Sequence, residues 1–399
     1  MLKIQPSQII LSLILCLTLY SELSIAASNE MIVKKSVRKE MNTISSHIRD
    51  MGLYIASEGE FVKNANKTII QKHLQELGLL FKNIKIHPVI ETQGLTIGQA
   101  AIAEQLDQTL VLFNKDQKPK ARAKLNAALN LCVSCHTQSP GTIHSEQPKF
   151  FQDKDISKLK ISDFERAELY FITRDFESAI KLYDKFLNAS KKSDDDEFIL
   201  KALERQLIYY LKIKRSFPLA LDHFTGYLKD KRFNDIVNQE ISDWVKALSG
   251  KSLWDHFDAA KTKEEEMDKF MKNFITDDEE GPIFTVTNST EVFDLNLSSI
   301  LMDYYNAHPD TKLGAKILYW MAIIDKRVND DLFFSLGDYY LLACMEKYNK
   351  DPVAKECYEA YMDELEINYL TTEKEFPSEI KAKILKLQQL LNLTEAKKK

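Results

Sequence analysis

The chain has 399 residues, 44% hydrophobic and 28% charged, with a formal net charge of −5. That length allows two or three domains and a sizeable core, the composition is that of a folded protein, and the charge gives counterion-driven nucleic-acid binding no support. Only 11 glycines are present; none forms G-x-G, and the one G-K-S, at Gly250–Ser252, has Val245 where a P-loop needs its first glycine, so no nucleotide loop is encoded. So few glycines also argue against a turn-rich all-β sandwich, and the expected fold class is all-α.

Residues 1–26 read as a signal peptide. Lys3 supplies the positive start, residues 9–20 the apolar stretch, and Ser24-Ile25-Ala26 the small residues before cleavage. The apolar stretch is too short to span ~30 Å of hydrocarbon. Cys16 follows Leu15, where a lipobox requires a small residue. No later segment is long and apolar enough to span. The expectation is a periplasmic protein with no integral membrane segment in the mature chain.

Residues 30–139 are expected to form an antiparallel bundle of four amphipathic helices. In the first, Val37, Met41, Ile44, Ile48, Met51 and Ile55 follow a 4-3-4-3-4 spacing, a strict apolar seam. The second is placed from Glu60 to Ile86, with Ala65, Ile69, Leu77, Phe81 and Ile84 inward, and His87-Pro88 stops it. The third runs from Thr96 to Phe113. The fourth starts near Pro119, a favoured first helical residue, and ends at Ser139-Pro140-Gly141.

Near the end of that fourth helix stands Cys132-Val133-Ser134-Cys135-His136, the c-type haem attachment signature. Two thiols within one helical turn reach the two vinyl groups of one haem, and the adjacent imidazole meets the iron. At this chain's cysteine and histidine frequencies the pattern arises by chance in roughly one such sequence in a thousand. A structural zinc site would want two further Cys or His ligands nearby, and only His144 is close. A redox C-x-x-C opens a helix, whereas this one closes a helix. One motif implies one covalent haem c, held by Cys132 and Cys135, with His136 as axial ligand.

A four-helix bundle with C-x-x-C-H at the end of its last helix resembles the cytochrome c prime family and its low-spin relatives. The resemblance covers about 110 residues. It implies a first-helix side chain over the distal haem face, a methionine ligand in low-spin members. In an up-down-up-down bundle the end of helix four lies beside the start of helix one, so Met41 is the expected sixth ligand, with a plain core role as the alternative. Met51 shares its face but lies ~15 Å farther along, and Met31 sits at the frayed start. After His136 the chain reads Thr137-Gln138-Ser139-Pro140, without the family's aromatic and basic residues, so the family's gas-binding tuning is not carried over. His47 is expected to face solvent, and His73 and His87, in the second helix, are not expected to touch the haem.

Residues 140–158 read as a linker, 159–392 as a helical repeat region and 393–399 as a basic tail. Ala167-x-x-Tyr170 followed by Phe176-x-x-Ala179-x-x-x-Tyr183-x-x-Phe186 has the small and aromatic spacing of a tetratricopeptide repeat. Phe217-x-x-Ala220-x-x-x-Phe224, then Gly337-x-x-Tyr340 and Ala354-x-x-x-Tyr358, repeat parts of it. This half resembles irregular tetratricopeptide hairpins in an α-solenoid-like array, which implies binding of a partner protein; a generic helical array is the alternative. Acidic runs at 194–197 and 277–280 read as solvated loops, and Phe284-Thr285-Val286-Thr287 is the one β-prone stretch. Cys344 and Cys357 lie at equal distances from a turn at Lys350-Asp351, so a helical hairpin would bring them within disulfide reach; two buried free thiols are the alternative. No H-E-x-x-H, G-x-S-x-G or paired-carboxylate motif occurs, so no enzyme is expected. The functional expectation is an exported monohaem electron carrier that meets a redox partner protein, with a haem-based gas or redox sensor, open at the distal iron position, as the alternative.

Overall fold

The computed structural model describes residues 39–84, 93–137, 159–191, 196–230, 232–250, 252–274, 288–329, 336–367 and 375–393. The signal peptide, Met31, His87, His144, the linker, the second acidic run, the β-prone stretch and the basic tail after Leu393 lie outside them. Among the described residues the protein is all α-helical and carries no strand. None of its described helices is long and apolar enough to cross a membrane.

The first expected helix is broken in two, and a separate short helix stands where the second was expected to begin. Residues 39–50 form α1, a turn at Met51 follows, and α2 (Gly52–Ala56) and α3 (Glu58–Val62) continue the line. Ser57 restarts the helix by accepting the Glu60 backbone N–H on its hydroxyl, which satisfies one of the donors a helix start leaves open. The carbonyls freed at the ends of α2 and α3 are taken by cations from farther along the chain. Arg122 donates to the Ile55 and Ala56 carbonyls at 2.9 and 2.8 Å, and Lys118 to the Val62 carbonyl at 2.9 Å. A 3-10 turn at Asn64–Asn66 then leads into α4 (Lys67–Asn83). That turn shifts the helical phase, so Ala65 and Ile69 are exposed, and Ile70 and Leu74 fill the inward positions expected of them. The seam residues Ile44, Ile48, Met51 and Ile55 are buried.

α5 (Gln93–Asn114) and α6 (Lys118–His136) follow, joined by a three-residue turn in which Asp116 has φ 60°. Cross-helix bonds fix the directions. Gln71 meets Asn114 and Gln99 meets the Phe81 and Ile84 carbonyls, so α4 and α5 are antiparallel. The order Lys118 to Val62, then Arg122 to Ile55, makes α6 antiparallel to the α1–α3 line.

The second half is a succession of helices packed mainly on their sequence neighbours: α7 (Asp163–Ile172), α8 (Phe176–Ala189), α9 (Asp196–Ile208) with a π turn at Tyr209–Ile213, α10 (Phe217–Asp230), α11 (Asp235–Leu248), α12 (Glu264–Phe274), α13 (Asn288–Ala307), α14 (Gly314–Asn329), α15 (Gly337–Lys347), α16 (Val353–Leu365) and α17 (Ser378–Leu390). Starts are encoded locally: Ser162 and Glu165 form a capping box for α7, Asp175 caps α8 and Asn234 caps α11. Ala167, Ala179, Ala220 and Ala354 are fully buried, where their small side chains let helices approach. Cys344 and Cys357 form a disulfide between α15 and α16, with Cα atoms 6.5 Å apart.

The two halves share one hydrophobic core. α7 packs on α2 and α6, and α13 and α15 pack on α5. Gly52 permits a close approach, because a Cβ there would sit 3.3 Å from the Leu169 side chain.

Candidate haem-attachment site

Positions 132, 135 and 136 of α6 fall close together around the helix axis. At 100° per residue the three span about 100° of the helix circumference. The polypeptide around them is well buried: Ala128, Leu131 and Val133 have no exposed surface, and Thr137 donates its hydroxyl to the Val133 carbonyl at 2.9 Å. Cys132 and His136 themselves are half-buried. That combination is a rigid helix end with one partly open face, which suits a bulky planar group lying against it.

The chemistry of the donors fits a haem. Cys132 is a free thiol and not half of a disulfide, so it remains available to add to a vinyl group. Burial pushes this thiol up to about 12, against the pull of the nearby Arg174 charge. Burial, and then the same Arg174 charge, press His136 down to about 3. A neutral imidazole keeps the lone pair that an axial iron ligand needs.

Arg174 comes from the other half of the chain. It occupies the turn that ends α7, at φ 68°. Asp175 N–H donates to the Tyr170 carbonyl and Arg174 N–H to the Phe171 carbonyl, a helix stop in which the left-handed position is usually glycine. An arginine there costs about 1 kcal/mol and places a fixed positive charge beside the motif. No local pattern could have revealed it, because the contact spans the whole linker.

Two residues before Cys132, Asn130 accepts a hydrogen bond from Arg205 Nη2 at 3.0 Å. Arg205 in turn grips Glu168 through Nε and Nη2, each at 3.0 Å, and the Tyr183 hydroxyl donates to the same carboxylate. Residues of α7, α8 and α9 therefore fix the haem-motif helix in place.

Met41 lies in α1, half-buried and packed against the core. The register of α1 on α6 sets its height. Fourteen residues beyond Arg122 is His136, and fourteen before Ile55, whose carbonyl Arg122 holds, is Met41. Counted along the chain, Met41 and His136 thus stand equally far from the Arg122 contact, on two antiparallel segments. Met51 is fully buried in the core, ten residues closer to the Arg122 contact. His47 does not face solvent freely: it is half-buried and pairs with His73 across α1 and α4. Comparison of the chain with family models, curated proteins and solved structures returns no match.

Proposed function

We propose that the protein is an exported monohaem c-type cytochrome that carries single electrons, with a helical second half that binds a partner protein. The observation that carries this reading is the Cys132–His136 motif on the half-open face of a buried helix end, with a free thiol and a neutral imidazole four residues apart. In this reading Cys132 and Cys135 would hold the haem through thioethers, with His136 and Met41 as the residues that would bind its iron. Bound haem supplies a one-electron Fe(III)/Fe(II) couple.

The remaining roles belong to the chain. Burial and the Arg174 charge beside His136 both disfavour the more positive ferric state, which raises the potential. The Arg205 network on Asn130 holds α6 still, so little rearranges when charge changes. The Cys344–Cys357 disulfide supports an oxidising compartment, in keeping with export. The stacked helices of the second half would offer the extended surface that helical arrays use to hold a partner protein. The protein in this reading is a carrier and not a catalyst.

Extraction with acidified organic solvent tests the central claim. The haem is expected to stay with the wild-type polypeptide, to be partly released from Cys135→Ala, and to lose its native spectrum in His136→Ala. Complete release from the wild type would falsify covalent attachment.

A further inference from the structure

α1 and α4 bring three potential metal donors to one point outside the haem motif. His47 Nδ1 lies 2.9 Å from His73 Nδ1 and 3.3 Å from a Glu76 carboxylate oxygen. The donor atoms of all three residues fall within 4.8 Å of one another. His73 and Glu76 stand three residues apart on α4, one turn, so both project from the same face toward α1. His47 and Asp50 repeat the histidine-x-x-acid spacing on α1, with Asp50 paired to Arg49 at 3.1 Å.

Hydrogen bonding alone serves this group poorly. If His73 donates its Nδ1 proton to His47 Nδ1, then His47 has no proton there for Glu76, and a nitrogen lone pair faces a carboxylate oxygen. If His47 donates to Glu76, its single proton is shared with the His73 lone pair. The rings meet edge to face, 5.2 Å between centroids at 69°, a favourable ring contact that leaves the three polar atoms unmatched. One cation at the convergence point satisfies all three lone pairs at once. We propose that His47, His73 and Glu76 form a binding site for a divalent first-row transition-metal ion of the zinc type, separate from the haem motif. Two imidazole nitrogens and one carboxylate oxygen are the donor set that zinc accepts, with water left to complete a tetrahedron. The pocket is partly open, since the His47 side chain is 18% exposed and that of Glu76 40%, so an ion can enter without unfolding. Bound there, it ties α1 to α4 across the hairpin whose first helix carries Met41.

Calorimetric titration of the full, untagged chain with zinc chloride tests the site. One saturable zinc per chain is expected, with a rise in unfolding midpoint when zinc is added. His47→Ala should weaken binding at least about ten-fold, and Glu76→Gln should weaken it while leaving the helical content unchanged. The haem spectrum of both variants should stay as in the wild type, which separates this site from the electron-transfer reading. Absence of saturable binding below roughly 0.1 mM zinc, or wild-type affinity in His47→Ala, would overturn the proposal.

Discussion

Arg205 has no exposed surface, and its charge survives there because Glu168 meets it bidentately. Burial alone would raise the Glu168 carboxyl; Arg205 and Lys201 outweigh it and hold the group down at about 2. A buried pair of this kind adds little net stability over an apolar core, but removing one partner leaves the other stranded, at a cost of about 3–5 kcal/mol. Arg205→Met is expected to lose stability in that range at pH 7. The pH dependence follows in sign. With the folded value depressed, the stabilisation from Glu168 is complete above its ordinary value of 4.5 and is lost as pH falls toward 2. Asp294 runs the other way, because burial raises it to about 7 and stability is lost as pH rises from 3.8 to that value. Its contribution is common to wild type and variant and cancels in their difference. Urea unfolding of both proteins at pH 7 and pH 3 should therefore show a gap that narrows in acid; an equal gap at both values would mean that Glu168 and Arg205 are not the coupled pair.

Between helices, the relation that matters is the register of α1 on α6. Arg122 locks the end of α2 to the start of α6, and Met41 and His136 each lie fourteen residues from that contact, along antiparallel segments. On the proposed reading Met41→Ala is expected to give a high-spin haem that binds carbon monoxide and lacks a thioether-to-iron band at about 695 nm. A variant spectrum identical to the wild type would return Met41 to a packing role. If the wild type already binds carbon monoxide, a sensor becomes the better reading. Much at this scale is legible in sequence. Ile44, Ile48 and Ile55 follow a period that only one helical face can satisfy, and Cys344 and Cys357 sit symmetrically about a turn that places them side by side. The break at Ser57 and the 3-10 turn at Asn64–Asn66 are less legible, because their stabilising partners, Arg122 and Lys118, lie more than fifty residues away. The same holds for Arg174 beside His136. Its signal is an arginine in a left-handed turn, a conformation that residue identity does not announce. The setting of His47 is no more legible, because its partners are on another helix, while its own position on α1 is off the apolar seam.

Across the whole molecule, composition suggests a boundary at 140–158, yet the contacts ignore it. Leu169 packs on Gly52, Arg205 bonds Asn130, and the Tyr339 hydroxyl donates to Glu104 at 2.8 Å. The buried residues of both halves belong to one cluster, so separating the halves would expose apolar surface on α2, α5 and α6 at once. Regions that share a core lose their stabilisation together and unfold cooperatively. The chain is built to test this, because its three tryptophans, Trp244, Trp254 and Trp320, all lie in the second half. Tryptophan fluorescence therefore reports the second half alone, whereas far-ultraviolet circular dichroism reports the helices of both. Urea titrations followed by the two signals should give one transition with a common midpoint, and Arg205→Met should move both signals by the same amount. A dichroism curve with two steps, only one of them matched by fluorescence, would show that the halves fold as separate units and that the haem-motif helix does not depend on the array beside it.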